Sequence, residues 1–361
     1  MNTFGQLFRV SIFGESHGAG VGVTIEGFPK GKEIDMDHIQ KRLNQRRPGT
    51  SKIVTQRKEA DKPEPFSGVF EGRASGSPIT FLIHNKDSDS SHYKERMFTP
   101  RPGHADYTAY VKYGDARDWR GGAHFSGRLT APIVIAGAMA EQILMDEGMN
   151  TISHTVQIGE EEAPDVPPEE LSEDMIHEPV RCADEEANER IAEYIDDTRK
   201  DLDSLGGVIE TVVQGVPAGL GEVFFGRVDA KLAHICMSMP AMKGIEFGAG
   251  FDSAEMKGSE HNDPFAIEDG EVVTETNNAG GTLGGLTTGM PVVFRVVVKP
   301  TSSIPQEQKT VHLEEMEETT LQIKGRHDPC IVTRAVPVIQ ACASIAFADL
   351  VLLERSERDS G

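Results

Sequence analysis

Four short apolar runs, each bounded by glycine or proline, punctuate the chain at residues 21–26, 79–84, 207–213 and 292–298. Each is too short for a helix and rich in Val, Ile or Phe, and each predicts a strand. Two longer stretches, 128–148 and 334–354, are apolar on nearly every side at their starts and predict central, buried helices. Each carries a proline, Pro132 or Pro337, that the pattern places in the first turn, where a missing N–H costs nothing. Helical patterns at about 35–46 and about 227–239 predict two more helices. Helices are few and strands are not regularly followed by crossovers, which excludes a doubly wound parallel sheet. The pattern predicts an α+β fold, with long helices buried between or against antiparallel or mixed sheets.

The pattern occurs twice in one order. Thr24-Ile25-Glu26-Gly27-Phe28-Pro29-Lys30-Gly31 matches Val212-Val213-Gln214-Gly215-Val216-Pro217-Ala218-Gly219, each a strand ending in Gly-apolar-Pro-x-Gly. Gly72 and Gly76 lead into Pro78-Ile79-Thr80-Phe81 as Gly285 and Gly289 lead into Pro291-Val292-Val293-Phe294. Arg128-Leu129-Thr130-Ala131-Pro132 opens one long helix and Arg334-Ala335-Val336-Pro337 the other. Three ordered matches predict two related halves, about 1–150 and 206–354, joined by residues 151–205 and sharing one core. Residues 1–361 then form a single domain with an internal pseudo-two-fold repeat.

Composition sharpens this picture in two places. The 361 residues are 38% apolar and 26% charged, a globular balance with ample material for a core. The net charge of −22 makes non-specific binding to nucleic acid or to an anionic membrane unfavourable. Residues 1–150 hold 20 basic and 18 acidic side chains, a net +2, whereas residues 151–361 hold 16 and 40, a net −24. Residues 151–205, with 18 acidic and 4 basic groups, read as a solvated surface excursion. The N-terminus has neither the basic nor the apolar region of a signal peptide, and no window holds the ~18 unbroken apolar residues of a membrane span. These features predict a cytoplasmic protein. Cys182, Cys236, Cys330 and Cys342 form no C-x-x-C pair, and no His/Cys/Asp group has ligand spacing, so no metal is expected and the thiols read as reduced.

Basic groups are clustered in this acidic chain. Arg42, Arg46, Arg47, Lys52, Arg57 and Lys58 fall together, and Arg101, Arg117, Arg120 and Arg128 follow. They read either as a solvated basic face or as a pocket for a small polyanion, since arginine recognises carboxylate and phosphate bidentately. Gly14-Glu15-Ser16-His17-Gly18 matches the serine-hydrolase elbow in letters only, because it leads into a glycine-rich strand and not a helix. A loop that approaches a ligand closely, with Ser16 and His17 pointing into a site, suits it better. Gly18-x-Gly20-x-Gly22 lacks the dinucleotide spacing. Asn278–Gly285 is either a phosphate cradle or a turn. Arg101-Pro102-Gly103-His104-Ala105-Asp106 holds a histidine beside a carboxylate, which predicts a raised imidazole pKa and a general acid. Arg326-His327-Asp328-Pro329 occupies a similar place in the second half. Lys299-Pro300-Thr301-Ser302-Ser303 ends a strand with a cation and hydroxyls suited to a phosphate.

Together these stretches resemble the chorismate synthase family. The resemblance rests on Phe4-Gly5-Gln6-Leu7-Phe8-Arg9-Val10, Phe13-Gly14-Glu15-Ser16-His17-Gly18, Arg46-Arg47-Pro48-Gly49, Thr55-Gln56-Arg57-Lys58-Glu59, Arg101–Asp106, Lys299–Ser303 and Gly325-Arg326-His327-Asp328-Pro329-Cys330, in the family's order. It implies a β-α-β sandwich, a homotetramer, and conversion of 5-enolpyruvylshikimate 3-phosphate to chorismate by 1,4-anti elimination. It implies reduced FMN with no net redox change, NADPH only indirectly through flavin reduction, and a separate flavin reductase. By motif, His17 would protonate the departing phosphate and His104 would keep the flavin correctly protonated. Asp328 would assist loss of the C6 proton through flavin N5. Ser16, Arg46, Arg47, Arg101, Arg128 and Arg326 would meet the substrate. Arg46, Lys52, His124, Phe125, Ser126, Pro240, Ala241, Gly284, Gly285, Lys299, Pro300, Thr301, Ser302, Ser303 and Arg326 would meet the flavin. The chain departs from the family's commonest pattern at Ala123–Leu129, at Pro240 and at Lys52.

Overall fold

The computed structural model describes residues 2–47, 61–85, 94, 96–323 and 327–358. Among these the apolar runs form strands within two residues of the predicted limits. The first sheet has the order β1 (Thr3–Phe4), β2 (Arg9–Gly14), β3 (Gly20–Glu26), β5 (Ile79–His84) and β4 (Glu64–Ser67). The second has the order β9 (Met242–Phe247), β10 (Val292–Val298), β8 (Gly207–Gln214), β6 (Asn150–Ile158) and β7 (Glu161–Glu162). Every ladder in both is antiparallel, so the sheets are not mixed. In β5 the alternation is plain: Ile79, Phe81 and Ile83 face the core.

Among the described residues the helices of eight residues or more are α1 (Met36–Arg46), α2 (Asp106–Tyr113), α3 (Thr130–Asp146), α4 (Glu185–Lys200), α5 (Val228–Met237) and α6 (Val332–Arg358). The two long ones, α3 and α6, pack on each other, α3 facing the first sheet and α6 the second. Their backbones meet at Gly137, where a Cβ would lie 2.2 Å from that of Ala341. A side chain at 137 would force the helices apart, an overpacking cost of about 1–3 kcal/mol. Both helices are long and apolar enough to cross a membrane, yet 83% and 89% of their most apolar windows are buried inside the protein. They are core helices. Helix α6 begins at Val332, so Pro337 is inside it and not in its first turn.

The order β2-β3-α1-β5-α3 recurs as β6-β8-α5-β10-α6, with β3 paired to β2 and β5 as β8 is paired to β6 and β10. The acidic segment enters between β6 and β8, whose ends are registered partners at Ile158 and Gly207. It is not simply a solvated excursion. Its helix α4, capped by the Asp184 side chain, buries Ala187, Ile191 and Ile195. Leu171 and Ala183 cover Ile152, Val212 and Val293 on the second sheet. Glu173 reaches across to Lys41 and Arg42 on α1.

The N-terminal segment is fixed by one buried carboxylate. Asp349 Oδ1, on α6, accepts the backbone N–H groups of Gln6, Leu7 and Phe8 at 2.9, 2.8 and 2.9 Å. Its Oδ2 accepts from Lys231 Nζ of α5 at 2.7 Å. The nest requires Gly5 at φ +90°, where a Cβ would lie 2.0 Å from the Phe8 carbonyl oxygen.

Candidate active site

Three segments far apart in sequence meet beside the first sheet. The first is the turn between β2 and β3 that holds Ser16 and His17. Ser16 N–H donates to the Ala123 carbonyl at 3.2 Å. The Asn85 side chain, just past β5, donates to the carbonyls of Glu15 and Gly18 at 2.9 and 3.0 Å. Gly121, at φ +61°, lies against His17 so closely that a Cβ would stand 2.5 Å from the imidazole. The Asp118 carboxyl feels the His17 charge. Burial pushes the Asp118 pKa up, but hydrogen bonds from Arg120, with the charges of Arg120 and His17, hold it below the usual range.

The second segment is the turn 101–106. Arg101 grips Asp106 with Nε and Nη2 at 2.7 and 2.8 Å, and Nη2 also donates to the Gly121 carbonyl at 2.9 Å. Burial raises the Asp106 pKa, but these bonds and the Arg101 charge outweigh it, so Asp106 stays ionised. That commitment overturns the expectation for His104. Its pKa is lowered, first by burial and then by the Arg101 charge, with Lys299 adding to the shift against Pro102 and Asp106. His104 is a neutral imidazole near pH 7. Nδ1–H donates to the Pro102 carbonyl at 2.9 Å, which leaves Nε2 to accept from Ser303 Oγ at 2.8 Å.

That serine belongs to the third segment, 299–303, at the end of β10. Lys299 Nζ donates to the Gly103 carbonyl at 2.7 Å and to Ser302 Oγ at 2.8 Å. Burial and then the charge of Lys243 lower its pKa. Lys299 N–H donates to the Ala241 carbonyl, which brings Pro240 and Ala241 alongside. The hydroxyls of Ser16 and Thr301 are buried without a hydrogen-bond partner among the described residues.

The arginines divide into different kinds. Arg128 Nε donates to Asn85 Oδ1 at 3.2 Å, and its Nη1 meets Asp61 Oδ1. Arg46, 4% exposed, donates to Thr130 Oγ1, Asp61 Oδ2 and the Gly127 carbonyl at 2.9, 3.0 and 2.8 Å. It therefore braces the start of α3. Arg47 ends α1 with extended backbone. Arg42 is buried against Glu141 and Glu173, and Arg117 stacks on Tyr110, so both are structural. Arg334 donates to Asp328 at 2.6 Å and to the Arg46 carbonyl at 3.2 Å, which ties Asp328 to this group. Lys52 and Arg326 lie outside the described residues.

The remaining candidates are at the edge or away. In the stretch after Gly122, Ser126 Oγ accepts from Arg128 N–H at 3.2 Å, and His124 meets Asn2. Phe125 is exposed beside Tyr113. Ala123 takes φ +43°, a conformation suited to glycine. Gly284 and Gly285 form a hairpin turn, with Gly285 against Arg227 and Glu222, and no hydrogen bond among the described residues joins them to the histidine cluster. Sequence reasoning missed Asp61, Asn85, Asp118, Lys243 and Arg334. None of them carried a signal of its own: Asp61, for one, follows Glu59 and precedes Lys62 in a run of mixed charge.

A protein-family model described as chorismate synthase matches residues 8–352. Among similar curated proteins, the chorismate synthase of Methanosarcina mazei is 48% identical over 97% of this chain and 96% of its own length. That of Thermococcus kodakarensis is 48% identical over 98% of each chain, and that of Archaeoglobus fulgidus 47% identical over 98% of each. A crystal structure of chorismate synthase superposes with a TM-score of 0.75 at 29% identity, covering 97% of this chain and 93% of that one.

Proposed function

Because the chain belongs to the chorismate synthase family, which converts 5-enolpyruvylshikimate 3-phosphate to chorismate and phosphate, we propose that the cluster around His17, His104 and Arg128 is where that elimination occurs. The chain is a lyase of the shikimate pathway, serving aromatic amino acid biosynthesis. One observation carries the assignment of the site: the His17 loop, the 101–106 turn and the 299–303 turn, drawn from both halves of the sequence, converge through Gly121, Arg101 and Ser303.

The substrate carries two carboxylates and a phosphate, so bound cations must offset its charge. Arg128, held by Asn85 and Asp61, and Arg47 and Arg101 supply them, with Arg46 bracing the floor and Ser16 adding a hydroxyl. Fixed cations in a site that excludes water need no reorganisation as negative charge develops on the leaving phosphate. His17 hands that phosphate its proton. Asp328, ion-paired to Arg334, assists loss of the C6 proton. His104 stays neutral, its tautomer set by Pro102.

The residues fit reduced FMN. Lys299 among neutral acceptors, the Ser302 and Ser303 hydroxyls and the buried Thr301 hydroxyl suit an anionic phosphate-bearing group beside His104. Lys299–Ser303, Pro240, Ala241 and Ser126 would hold it, with His124 and Phe125 at the rim. The chemistry that bound reduced FMN would supply there is electron density for the allylic system. The protein is further proposed to be a cytoplasmic homotetramer, built as a duplicated unit, that draws reduced flavin from a separate reductase.

The test is anaerobic phosphate release from 5-enolpyruvylshikimate 3-phosphate, with and without dithionite-reduced FMN, while chorismate absorbance is followed in the same cuvette. One-to-one release that requires reduced flavin is expected. Flavin binding without release would overturn the reading.

A further inference from the structure

We infer that Asn85 is a positioning residue for the reaction, holding the His17 turn in place through two of that turn's carbonyls. The inference rests on the reading that His17 protonates the leaving phosphate. Residues 14–22 include four glycines, Gly14, Gly18, Gly20 and Gly22. Glycine loses more backbone freedom on ordering than any other residue, so a turn of this composition is best fixed by donors from outside it. Within the turn, Gly18 N–H donates to the Glu15 carbonyl at 3.1 Å. Asn85 supplies the outside clamp. Its NH₂ group donates to the carbonyls of Glu15 and Gly18 at 2.9 and 3.0 Å, one on each side of Ser16 and His17.

The place of Asn85 follows from strand register. Gly20 of β3 is paired with His84 of β5, and Asn85 N–H carries the ladder one bond further by donating to the Ala19 carbonyl at 3.1 Å. The amide is thus mounted at the end of a strand whose Ile79, Phe81 and Ile83 are buried in the core. Its orientation is fixed by its partners. Two carbonyl oxygens require the NH₂ group on one side, and Arg128 Nε, 3.2 Å away, requires the amide oxygen on the other. A carboxylate of the same size has no hydrogen to give, and a hydroxyl has only one. Asn85 therefore passes the register of the first sheet to the backbone on both sides of His17, while Gly121 packs against the imidazole itself.

Asn85→Asp is nearly isosteric and separates the two sides of the amide. A carboxylate still accepts from Arg128, but it turns an oxygen toward the Glu15 and Gly18 carbonyls and repels the turn. Steady-state kinetics of Asn85→Asp, His17→Ala and the double variant, each at saturating reduced FMN, form a cycle, with thermal melting as a fold control. In Asn85→Asp, kcat should fall about ten- to hundredfold, the effect of a small misplacement of a reacting group. KM for 5-enolpyruvylshikimate 3-phosphate should stay within about threefold of wild type, because Arg128 keeps an acceptor. The double variant should turn over no more slowly than His17→Ala, since the group that Asn85 positions is already gone. An unchanged kcat in Asn85→Asp, or losses in kcat that multiply in the double variant, overturns the proposal. Near-wild-type turnover in His17→Ala overturns the underlying reading of His17, and Asn85 with it. Should Asn85→Asp not fold, Asn85→Ala takes its place in the cycle. It removes both donors without setting a charge beside the carbonyls, and the same kcat outcomes apply.

Discussion

Replacing Asp349 by asparagine should cost the fold about 3–5 kcal/mol, and the figure follows from the four donors that meet on its carboxylate. Three are backbone N–H groups of Gln6, Leu7 and Phe8, all to Oδ1, and the fourth is Lys231 Nζ to Oδ2. The carboxylate is wholly buried and the lysine side chain is 9% exposed. In Asp349→Asn the amide oxygen can keep the backbone N–H groups. The NH₂ group then faces an ammonium, and a buried charge without its partner costs about 3–5 kcal/mol. In Asp349→Ala the three N–H groups are orphaned as well, at about 1–3 kcal/mol each, which approaches the whole stability of a typical protein, about 5–15 kcal/mol. Unfolding entropy near 2.1 cal/mol/K per residue over 361 residues gives about 0.76 kcal/mol/K, so Asp349→Asn should lower Tm by about 4–7 °C. Scanning calorimetry reads this directly. Adding Lys231→Met removes the stranded charge and should restore part of the loss. A Tm within about 1 °C of wild type in Asp349→Asn, or no recovery in the double variant, would refute the reasoning.

His17→Ala and His104→Ala should each lower turnover about 10²–10⁴-fold with the fold intact, and near-wild-type rates in both would remove them from the site. The folded protein resists protonation of His104, so below the ordinary histidine value of 6.5 the unfolded chain takes the proton first. Wild type should therefore lose stability relative to His104→Gln as pH falls through that value, whereas urea titrations that stay parallel would contradict the lowered pKa. Gly121→Ala, with its Cβ 2.5 Å from the His17 ring, should depress kcat far more than Tm. Equal loss of both would mean a general packing defect. Ala123→Gly should raise stability by about 1 kcal/mol by relieving the left-handed backbone at φ +43°, read as an upward shift of the urea midpoint. A downward shift would show that the alanine methyl contributes more than the strain costs.

The four main strands and the two long helices could be read because their apolar residues serve one core and recur with the period of the element they form. Helix α4 could not be read in the same way. Its stripe of Ala187, Ile191 and Ile195 is submerged in a run of carboxylates, and the charge signal hid the period. Helix α2 buries no residue and carries no stripe to find. At the site, His17, His104 and Lys299 were legible because they sit in glycine- or proline-bound turns. Asp61 and Asn85 were not, because a single carboxylate or amide acquires its meaning only when distant arginines and carbonyls close around it. The direction of the His104 pKa was misread for a related reason. The sequence shows Asp106 two residues away but not that Arg101 has already taken both of its oxygens.

The acidic segment leaves the second sheet at Ile158 and returns at Gly207, two residues that face each other across the same ladder. A loop whose ends already touch adds little closure entropy as it lengthens, about 0.6 kcal/mol for each doubling. Strand pairing on either side is indifferent to what lies between. This is a port in the fold where chain can be gained, lost or exchanged over generations while the His17 turn, seated on the other sheet, keeps its register. Its tethers include Ser204 Oγ on the Thr301 carbonyl, Arg181 on the Gln45 carbonyl, and the grip of Glu173 on the buried Arg42. Any shorter or foreign insert must find another partner for that buried arginine, and this requirement limits how far the segment can drift.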